Sequence, residues 1–218
     1  MHVKANGIEL HYIKRGNGHP LILLHGNSQS KDIFTKAIDD LSKRYTVYAL
    51  DSRCHGQSTD TEELSYQLMA NDVIAFIQTL ELDKPYLYGF SDGAVVGLLV
   101  ASQQPELLGK LVLSGATTAF AGMKKGWQWL FKLSHFIRRD KRFQLVLTQP
   151  AIGKGELAKI LVPTLLLFGE KDITTPKDIK LMSDSIPGSA LRILPGEGHM
   201  SYVHNSTKLA PLLYEFLE

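Results

Sequence analysis

The sequence predicts an α/β fold with a mostly parallel sheet and helices on both of its faces. Short apolar runs alternate with helical patterns, and several runs are almost continuously apolar, as strands buried on both faces are. The 218 residues, 44% hydrophobic and 21% charged, suffice for one domain with a well-buried core. We therefore expect a single domain over residues 1–218.

Eight strands are expected, and the first two form an antiparallel hairpin, because Asn6-Gly7 is a turn signal between two β-rich runs. The other six are short apolar or β-rich runs, as strands of a covered sheet are. In chain order the candidates are Val3–Ala5, Ile8–Lys14, Pro20–Leu24, Thr46–Leu50, Pro85–Tyr88, Leu111–Leu113, Thr164–Phe168 and Leu191–Leu194.

Helical patterns fill most of the intervals between these strands. The alternation of strand and helix indicates right-handed crossovers between parallel strands. The predicted helices are Lys31–Ser42, Ser65–Leu80, Ala94–Ala101, Thr175–Ile186 and Asn205–Phe216.

Residues 116–159 interrupt this alternation, so we expect a short helical cap there, inserted into a core of residues 1–115 and 160–218. Gly126–Leu147 shows one long helical pattern that holds both tryptophans. Most of its aromatic side chains are expected to pack on the domain, and the others to line a cleft. Residues 116–160 carry nine Lys/Arg against two acids, a charge of +7, which leaves −5 for the rest of a chain of net charge +2. A solvated helix face explains this surplus, and so does attraction of an anionic substrate or surface.

Ser91 is the candidate nucleophile because it stands between Gly89 and Gly93, where a buried strand leads into a buried helix. So short a turn crowds the backbone, favours residues without a Cβ on either side and exposes the serine hydroxyl. The start of the helix also favours negative charge, such as that of a tetrahedral oxyanion. The alternative is a serine that only caps the helix.

A serine nucleophile needs a base and a group that orients the base. His199 follows the last predicted strand, and His204, just before the last helix, is its competitor. Asp172 follows the strand Thr164–Phe168 and is the preferred acid, with Glu170 as the alternative. Because the carboxyl ends of strands in an open α/β sheet converge on one crevice, these residues are expected to meet.

Backbone N–H groups beside Ser91 are candidate oxyanion donors. His25-Gly26-Asn27 ends a buried strand, so we assign the N–H of Asn27 as one donor, with Ser28 as the alternative, and the N–H of Asp92 as the other. The Asp92 side chain is expected to turn away from the developing charge. His25 is expected to brace the loop and not to transfer a proton in the reaction.

Taken together, these motifs resemble those of the α/β-hydrolase fold superfamily over nearly the whole chain. The resemblance rests on His25-Gly26-Asn27, Asp51–Ser58, Gly89–Gly93, Gly169–Asp172 and Gly198-His199. It implies a serine hydrolase with Ser91, Asp172 and His199 as the triad. One departure is Cys54, which stands where the family's D-x-R-G-x-G-x-S stretch usually has a glycine.

These residues predict an enzyme of the carboxylesterase type that cleaves an ester-like bond of a small molecule through an acyl-enzyme. The same fold also hosts carbon–carbon bond hydrolases, lyases, perhydrolases and non-catalytic ligand receptors, and these alternatives stay open.

The composition also indicates which other partners and which cellular compartment to expect. The net charge is too small to predict nucleic-acid binding. No metal and no cofactor are expected, because zinc-ligand spacings and a phosphate-binding G-x-x-x-x-G-K-S/T loop do not occur. No apolar run approaches membrane-spanning length, and the single cysteine, Cys54, fits a reducing compartment, so a cytoplasmic protein without a membrane span is expected. The oligomeric state is not predicted.

Overall fold

The computed structural model describes all residues, 1–218, and contains one eight-stranded sheet. The strands are β1 (His2–Ala5), β2 (Ile8–Arg15), β3 (His19–Leu24), β4 (Tyr45–Leu50), β5 (Tyr86–Phe90), β6 (Lys110–Ser114), β7 (Thr164–Lys171) and β8 (Ala190–Gly198). Their order across the sheet is β1-β2-β4-β3-β5-β6-β7-β8. Only the β1–β2 and β2–β4 pairs are antiparallel, which confirms the predicted mostly parallel sheet.

Eight α-helices and two short 3₁₀ turns, Lys31–Phe34 and Phe120–Gly122, connect the strands. The helices are α1 (Thr35–Leu41), α2 (Tyr66–Thr79), α3 (Asp92–Gln103), α4 (Lys125–Arg138), α5 (Lys141–Leu147), α6 (Lys154–Leu157), α7 (Pro176–Ser185) and α8 (Leu209–Leu217). No helix combines the length and the apolar character that crossing a bilayer requires.

The two faces of the sheet bury separate hydrophobic cores. Successive side chains of a strand point to opposite faces. In β3, Ile22 and Leu24 accordingly join the core under α2 and α3. Leu21 and Leu23 join the core under α1 and α8. Burial on both faces explains why the parallel strands read as continuous apolar runs.

Two strands extend further than predicted. β7 continues through Lys171 and β8 through Gly198, with a β-bulge between the two strands at Gly169. Asp172 and His199 are therefore the first residues after their strands, where β7 and β8 are still adjacent.

The prediction of one long helix over Gly126–Leu147 is wrong, because the first helix ends at Arg138 and a second one begins at Lys141. Arg139 adopts a left-handed conformation with φ of 48°. Asp140 then caps α5, accepting a hydrogen bond from the Arg142 N–H at 2.8 Å. The short helix α6 was not predicted at all.

The expectation that most aromatic side chains of this segment pack on the domain is also wrong. No residue of α4 is buried, and Trp129 and Phe136 are 64% and 78% exposed.

Candidate active site

Ser91 occupies a sharp turn between β5 and α3, with φ of 53° and ψ of −114°. A residue other than glycine reaches such angles only where its surroundings hold it there. The Ser91 N–H donates to the Ser114 carbonyl at 2.8 Å. The flanking glycines have no room for a Cβ: one at Gly89 would collide with the Gly93 backbone, and one at Gly93 with the Leu24 carbonyl.

The imidazole of His199 lies between Ser91 and Asp172. Its Nδ1 is 2.8 Å from Asp172 Oδ1, and its Nε2 is 3.1 Å from Ser91 Oγ. Because a carboxylate only accepts hydrogen bonds, the proton of neutral His199 is on Nδ1, and Nε2 accepts from the serine hydroxyl. This is the arrangement in which a histidine can remove the serine proton.

Asp172 is buried, and its carboxylate is held on several sides. Burial by itself would raise its pKa, but the hydrogen bond from His199 and the backbone N–H groups of Thr174 and Gly169 outweigh burial and lower the pKa. Asp172 is therefore ionised at neutral pH and accepts the hydrogen bond from His199 Nδ1.

The two competing residues do not join this group. The Glu170 carboxylate points to the neighbouring strand and accepts a hydrogen bond from the Gly196 N–H at 2.7 Å. His204 is exposed, and its side chain has no hydrogen bond to Ser91 or Asp172.

The N–H groups of Asn27 and Asp92 donate to no protein acceptor and can donate to a bound group. The N–H of Ser28, the alternative donor, is instead directed at Nε2 of His55, 3.2 Å away. Gly26 permits a close approach of this loop, because an added Cβ would lie 3.0 Å from Ser91 Cβ.

The Asp92 side chain is held by hydrogen bonds to two other side chains. Its carboxylate accepts hydrogen bonds from the Tyr66 hydroxyl at 2.8 Å and from the Asn27 side-chain amide at 2.9 Å. Burial raises the pKa of Asp92, and these two hydrogen bonds oppose that shift.

His25 braces the loop before Asn27 in its neutral form. Nδ1 donates to the Gly26 carbonyl at 2.8 Å, and Nε2 accepts from the Ser52 N–H at 3.1 Å. Burial, followed by the nearby His55, lowers the pKa of His25 to about 4. A neutral imidazole can serve both partners, whereas a protonated one could not accept from Ser52.

The loop after β4 keeps a left-handed backbone at Cys54, where φ is 60°. Glycine adopts this conformation without strain, and glycine is usual at this position in the family that the sequence resembles. The Cys54 Sγ lies 3.4 Å from the Thr61 N–H, so a buried side chain offsets part of the strain. The same loop is tied to the domain by Asp51, which accepts from the Lys31 ammonium at 2.6 Å.

Three residues near the site were missed by sequence reasoning. An added Cβ at Gly115, which follows β6 with φ of 62°, would lie 2.6 Å from His199 Cε1. The Lys124 ammonium donates to the Asp172 carbonyl, and the Arg142 carbonyl accepts from the Asn27 amide at 2.7 Å. Only Gly115 had a sequence signal, a glycine two residues after the predicted strand Leu111–Leu113.

A cavity of about 430 Å³ adjoins Ser91 and His199. Aromatic and aliphatic side chains supply much of its wall, and two of them come from α4. The apolar lining residues are Phe90, Trp127, Phe131, Ile173 and Met200.

A set of three side chains close enough to share a metal ion lies elsewhere. His2, Glu9 and His11, on the hairpin of β1 and β2, place their ligand atoms within 4.8 Å of one another.

Comparison with known proteins places these features in a family. The profile described as the alpha/beta hydrolase fold matches residues 19–141. The human protein "Serine hydrolase BPHL" is 25% identical over 99% of this chain and 85% of its own length. The "AB hydrolase superfamily protein YisY" of Bacillus subtilis is 30% identical, with 92% of each chain covered.

Among solved structures, naproxen esterase (carboxylesterase NP) from Bacillus subtilis superimposes with a TM-score of 0.85, covering 100% of this chain and 90% of its own, at 18% identity. Identity this low shows a common fold alone. The family profile over more than half of the residues, with the 30% identity to the Bacillus subtilis protein, shows that this chain belongs to the α/β-hydrolase fold family.

Proposed function

We propose that this member of the family is a serine hydrolase that cleaves an ester-like bond of a small molecule through an acyl-enzyme. The single observation that supports this most is the chain of hydrogen bonds from Ser91 Oγ through His199 to Asp172, with distances of 3.1 and 2.8 Å. Nucleophile, base and orienting acid are in contact before any substrate is bound.

In the proposed reaction, Ser91 Oγ attacks the ester carbonyl while His199 Nε2 removes the serine proton. The carbonyl oxygen becomes negative in the tetrahedral intermediate and is received by the N–H groups of Asn27 and Asp92. His199 then gives its proton to the departing alcohol, and the C–O bond breaks to leave an acyl-serine. Water, activated in turn by His199, releases the acid and restores Ser91.

The cavity supports a substrate with a small or medium-sized, mainly apolar acyl group. Its volume of about 430 Å³ and the side chains of Trp127 and Phe131 suit such a group. We further propose that residues 116–159 act as a cap, since α4 supplies this part of the wall.

Two measurements test the proposal together. Hydrolysis of p-nitrophenyl esters of increasing acyl length should be measurable for the wild type and lost in Ser91→Ala, whereas Ser185→Ala, on α7, should behave as the wild type. A fluorophosphonate probe should label the wild type and Ser185→Ala, and should leave Ser91→Ala unlabelled.

The combined result separates the alternatives. Labelling at Ser91 without turnover of any ester would favour another reaction of this fold, that of a carbon–carbon bond hydrolase, a lyase or a perhydrolase. A folded wild type that is neither labelled nor active would overturn the assignment and favour a ligand-binding role.

A further inference from the structure

Helix α4 presents a continuous apolar face to solvent. The side chains that form it recur at the three- and four-residue spacing of one helix face. They are the exposed Trp129, Leu130, Phe136 and Ile137 and the half-buried Leu133, which together we call the outer face of α4. Phe136 and Ile137 are 78% and 69% exposed, although side chains of this kind are normally buried.

The opposite side of the same helix is already in use. Trp127 and Phe131 line the cavity beside Ser91, and Gln128 donates a hydrogen bond to the Met123 carbonyl at 2.7 Å. The outer face therefore cannot be explained as the side that attaches α4 to the domain. It is an unoccupied contact surface.

The outer face is surrounded by positive charge that no acid neutralises. Residues 124–139 contain five cations and no Asp or Glu. None of the five forms a salt bridge. The five are Lys125, Lys132, Arg138 and Arg139, which the headgroups would contact, and Lys124, whose ammonium already donates to the Asp172 carbonyl.

This charge pattern discriminates between two occupants. A second copy of the chain, packing outer face on outer face about a twofold axis, would bring like charges together with no carboxylate to pair with them. A surface of anionic phospholipid would complement both features, because its phosphates attract Lys and Arg while Trp, Phe and Leu enter the boundary between headgroups and acyl chains.

We propose that α4 is a peripheral docking element that lies on anionic phospholipid bilayers, with its outer face inserted and its cations on the lipid headgroups. The helix has 14 residues, so it is about 21 Å long. It lies in the plane of the interface and does not cross it. The docking involves no step at Ser91 and holds whether or not the proposed hydrolysis is correct.

The chain contains its own reporter for this interaction, because both of its tryptophans, Trp127 and Trp129, lie on α4. Full-length Ser91→Ala protein would be mixed with vesicles of phosphatidylcholine and phosphatidylserine in a 7:3 ratio, and with vesicles of phosphatidylcholine alone. Tryptophan emission and co-flotation would both be recorded. A Trp127→Phe background leaves Trp129 as the only source of emission.

Docking predicts a blue shift and co-flotation with the anionic vesicles, a much weaker effect with the neutral ones, and loss of binding as salt is raised. The double variant Phe136→Ser/Ile137→Ser should lower partitioning by about tenfold or more. Lys125→Glu/Lys132→Glu should do the same through charge. Leu161→Ser, which removes an exposed leucine outside α4, should bind as its parent does.

Two outcomes would overturn the proposal. The first is an absence of binding to anionic vesicles, or binding that the α4 variants leave unchanged. The second is a concentration-dependent dimer in sedimentation velocity that Phe136→Ser/Ile137→Ser dissociates while vesicles leave the emission unaltered. That result would assign the outer face to self-association.

Discussion

The side-chain amide of Asn27 donates to the carboxylate of Asp92 at 2.9 Å and so joins the two residues whose backbone N–H groups are the proposed oxyanion donors. The same amide donates to the Arg142 carbonyl in α5, 2.7 Å away. One side chain thus connects the loop after β3, the start of α3 and the segment between β6 and β7. We infer that Asn27 positions the donors through its side chain as well as supplying one of them.

Replacing Asn27 by alanine should lower kcat while leaving KM almost unchanged. The N–H group remains, but both hydrogen bonds that the side-chain amide donates are lost, so the N–H is held less well in position. A misplaced donor weakens the stabilisation of the transition state more than it weakens the binding of the substrate. We expect kcat for a p-nitrophenyl ester to fall by about tenfold to a hundredfold. Steady-state kinetics measure both constants.

Tyr66→Phe is the matched comparison, because it removes the other hydrogen bond to Asp92 and keeps Asn27 in place. It should reduce the free energy of unfolding by about 1–3 kcal/mol, since a buried carboxylate loses a donor, and should affect kcat less. If Asn27→Ala kept the wild-type kcat, the positioning role would be wrong.

The choice of Asp172 over Glu170 as the acid is tested by two isosteric variants. Asp172→Asn should reduce kcat for a p-nitrophenyl ester by about a thousandfold or more, because an amide cannot hold the proton on Nδ1 of His199 or balance its positive charge. Glu170→Gln should change kcat by less than about threefold, because the Glu170 carboxylate accepts its hydrogen bond from the Gly196 N–H and not from His199. The opposite ranking of the two variants would reverse the assignment.

The group at Ser91 was accessible to sequence reasoning because each member follows a strand of a parallel sheet. Strands of this kind are recognisable as short apolar runs, and their carboxyl ends meet at one edge whatever the exact length of each strand. The wrong ends predicted for β7 and β8 therefore did not change which residues were expected to meet at this edge of the sheet. Asp172 and His199 were identified correctly as loop residues although both strands were predicted too short.

The segment between β6 and β7 was predicted less well, for two physical reasons. Arg139 adopts a positive φ without being glycine, so nothing in the local sequence marks the break between α4 and α5. Apolar spacing also shows that a helix has an apolar face, but it does not show what that face meets. Trp129 and Phe136 follow the pattern of buried residues and are exposed.

The variant Cys54→Gly should have a larger free energy of unfolding than the variant Cys54→Ala. Both variants lose the Sγ atom and its contact with Thr61, but only alanine keeps a Cβ in the left-handed conformation at φ of 60°. Relief of that strain is worth about 1 kcal/mol, which glycine's greater freedom in the unfolded chain partly offsets. Urea unfolding of the two variants measures the difference, and an alanine variant as stable as the glycine variant would show that the loop relaxes.

His25 should make the protein less stable as the pH falls from about 7.5 to 5. Its pKa in the folded state is about 4, below the ordinary 6.5, so the unfolded chain binds more protons between these values and stability is lost on acidification. A single group with this shift contributes about 2 kcal/mol to that loss. The free energy of unfolding in urea at the two pH values measures it.

His25→Gln should show a pH dependence smaller by about this amount. His55, whose pKa burial also lowers, continues to titrate in the variant, so some dependence remains. His204→Gln changes an exposed histidine and should match the wild type. An undiminished pH dependence in His25→Gln would show that His25 is not held neutral by the fold.

Catalysis should require glycine at position 115, because a larger side chain there would collide with His199. The variant Gly188→Ala is the control for the effect of the backbone conformation. Gly115 and Gly188 have almost the same backbone, with φ of 62° and 65°, so the left-handed conformation by itself should cost an alanine at either position about 1 kcal/mol of stability. Their surroundings differ: a Cβ at Gly115 would lie 2.6 Å from His199 Cε1, whereas a Cβ at Gly188 would meet nothing within 4 Å. Gly115→Ala must therefore push the imidazole away from Ser91, and kcat should fall by about a hundredfold, while Gly188→Ala keeps the wild-type kcat. Equal kcat values in the two folded variants would mean that His199 can move without loss, and that its contact with Ser91 does not limit the reaction.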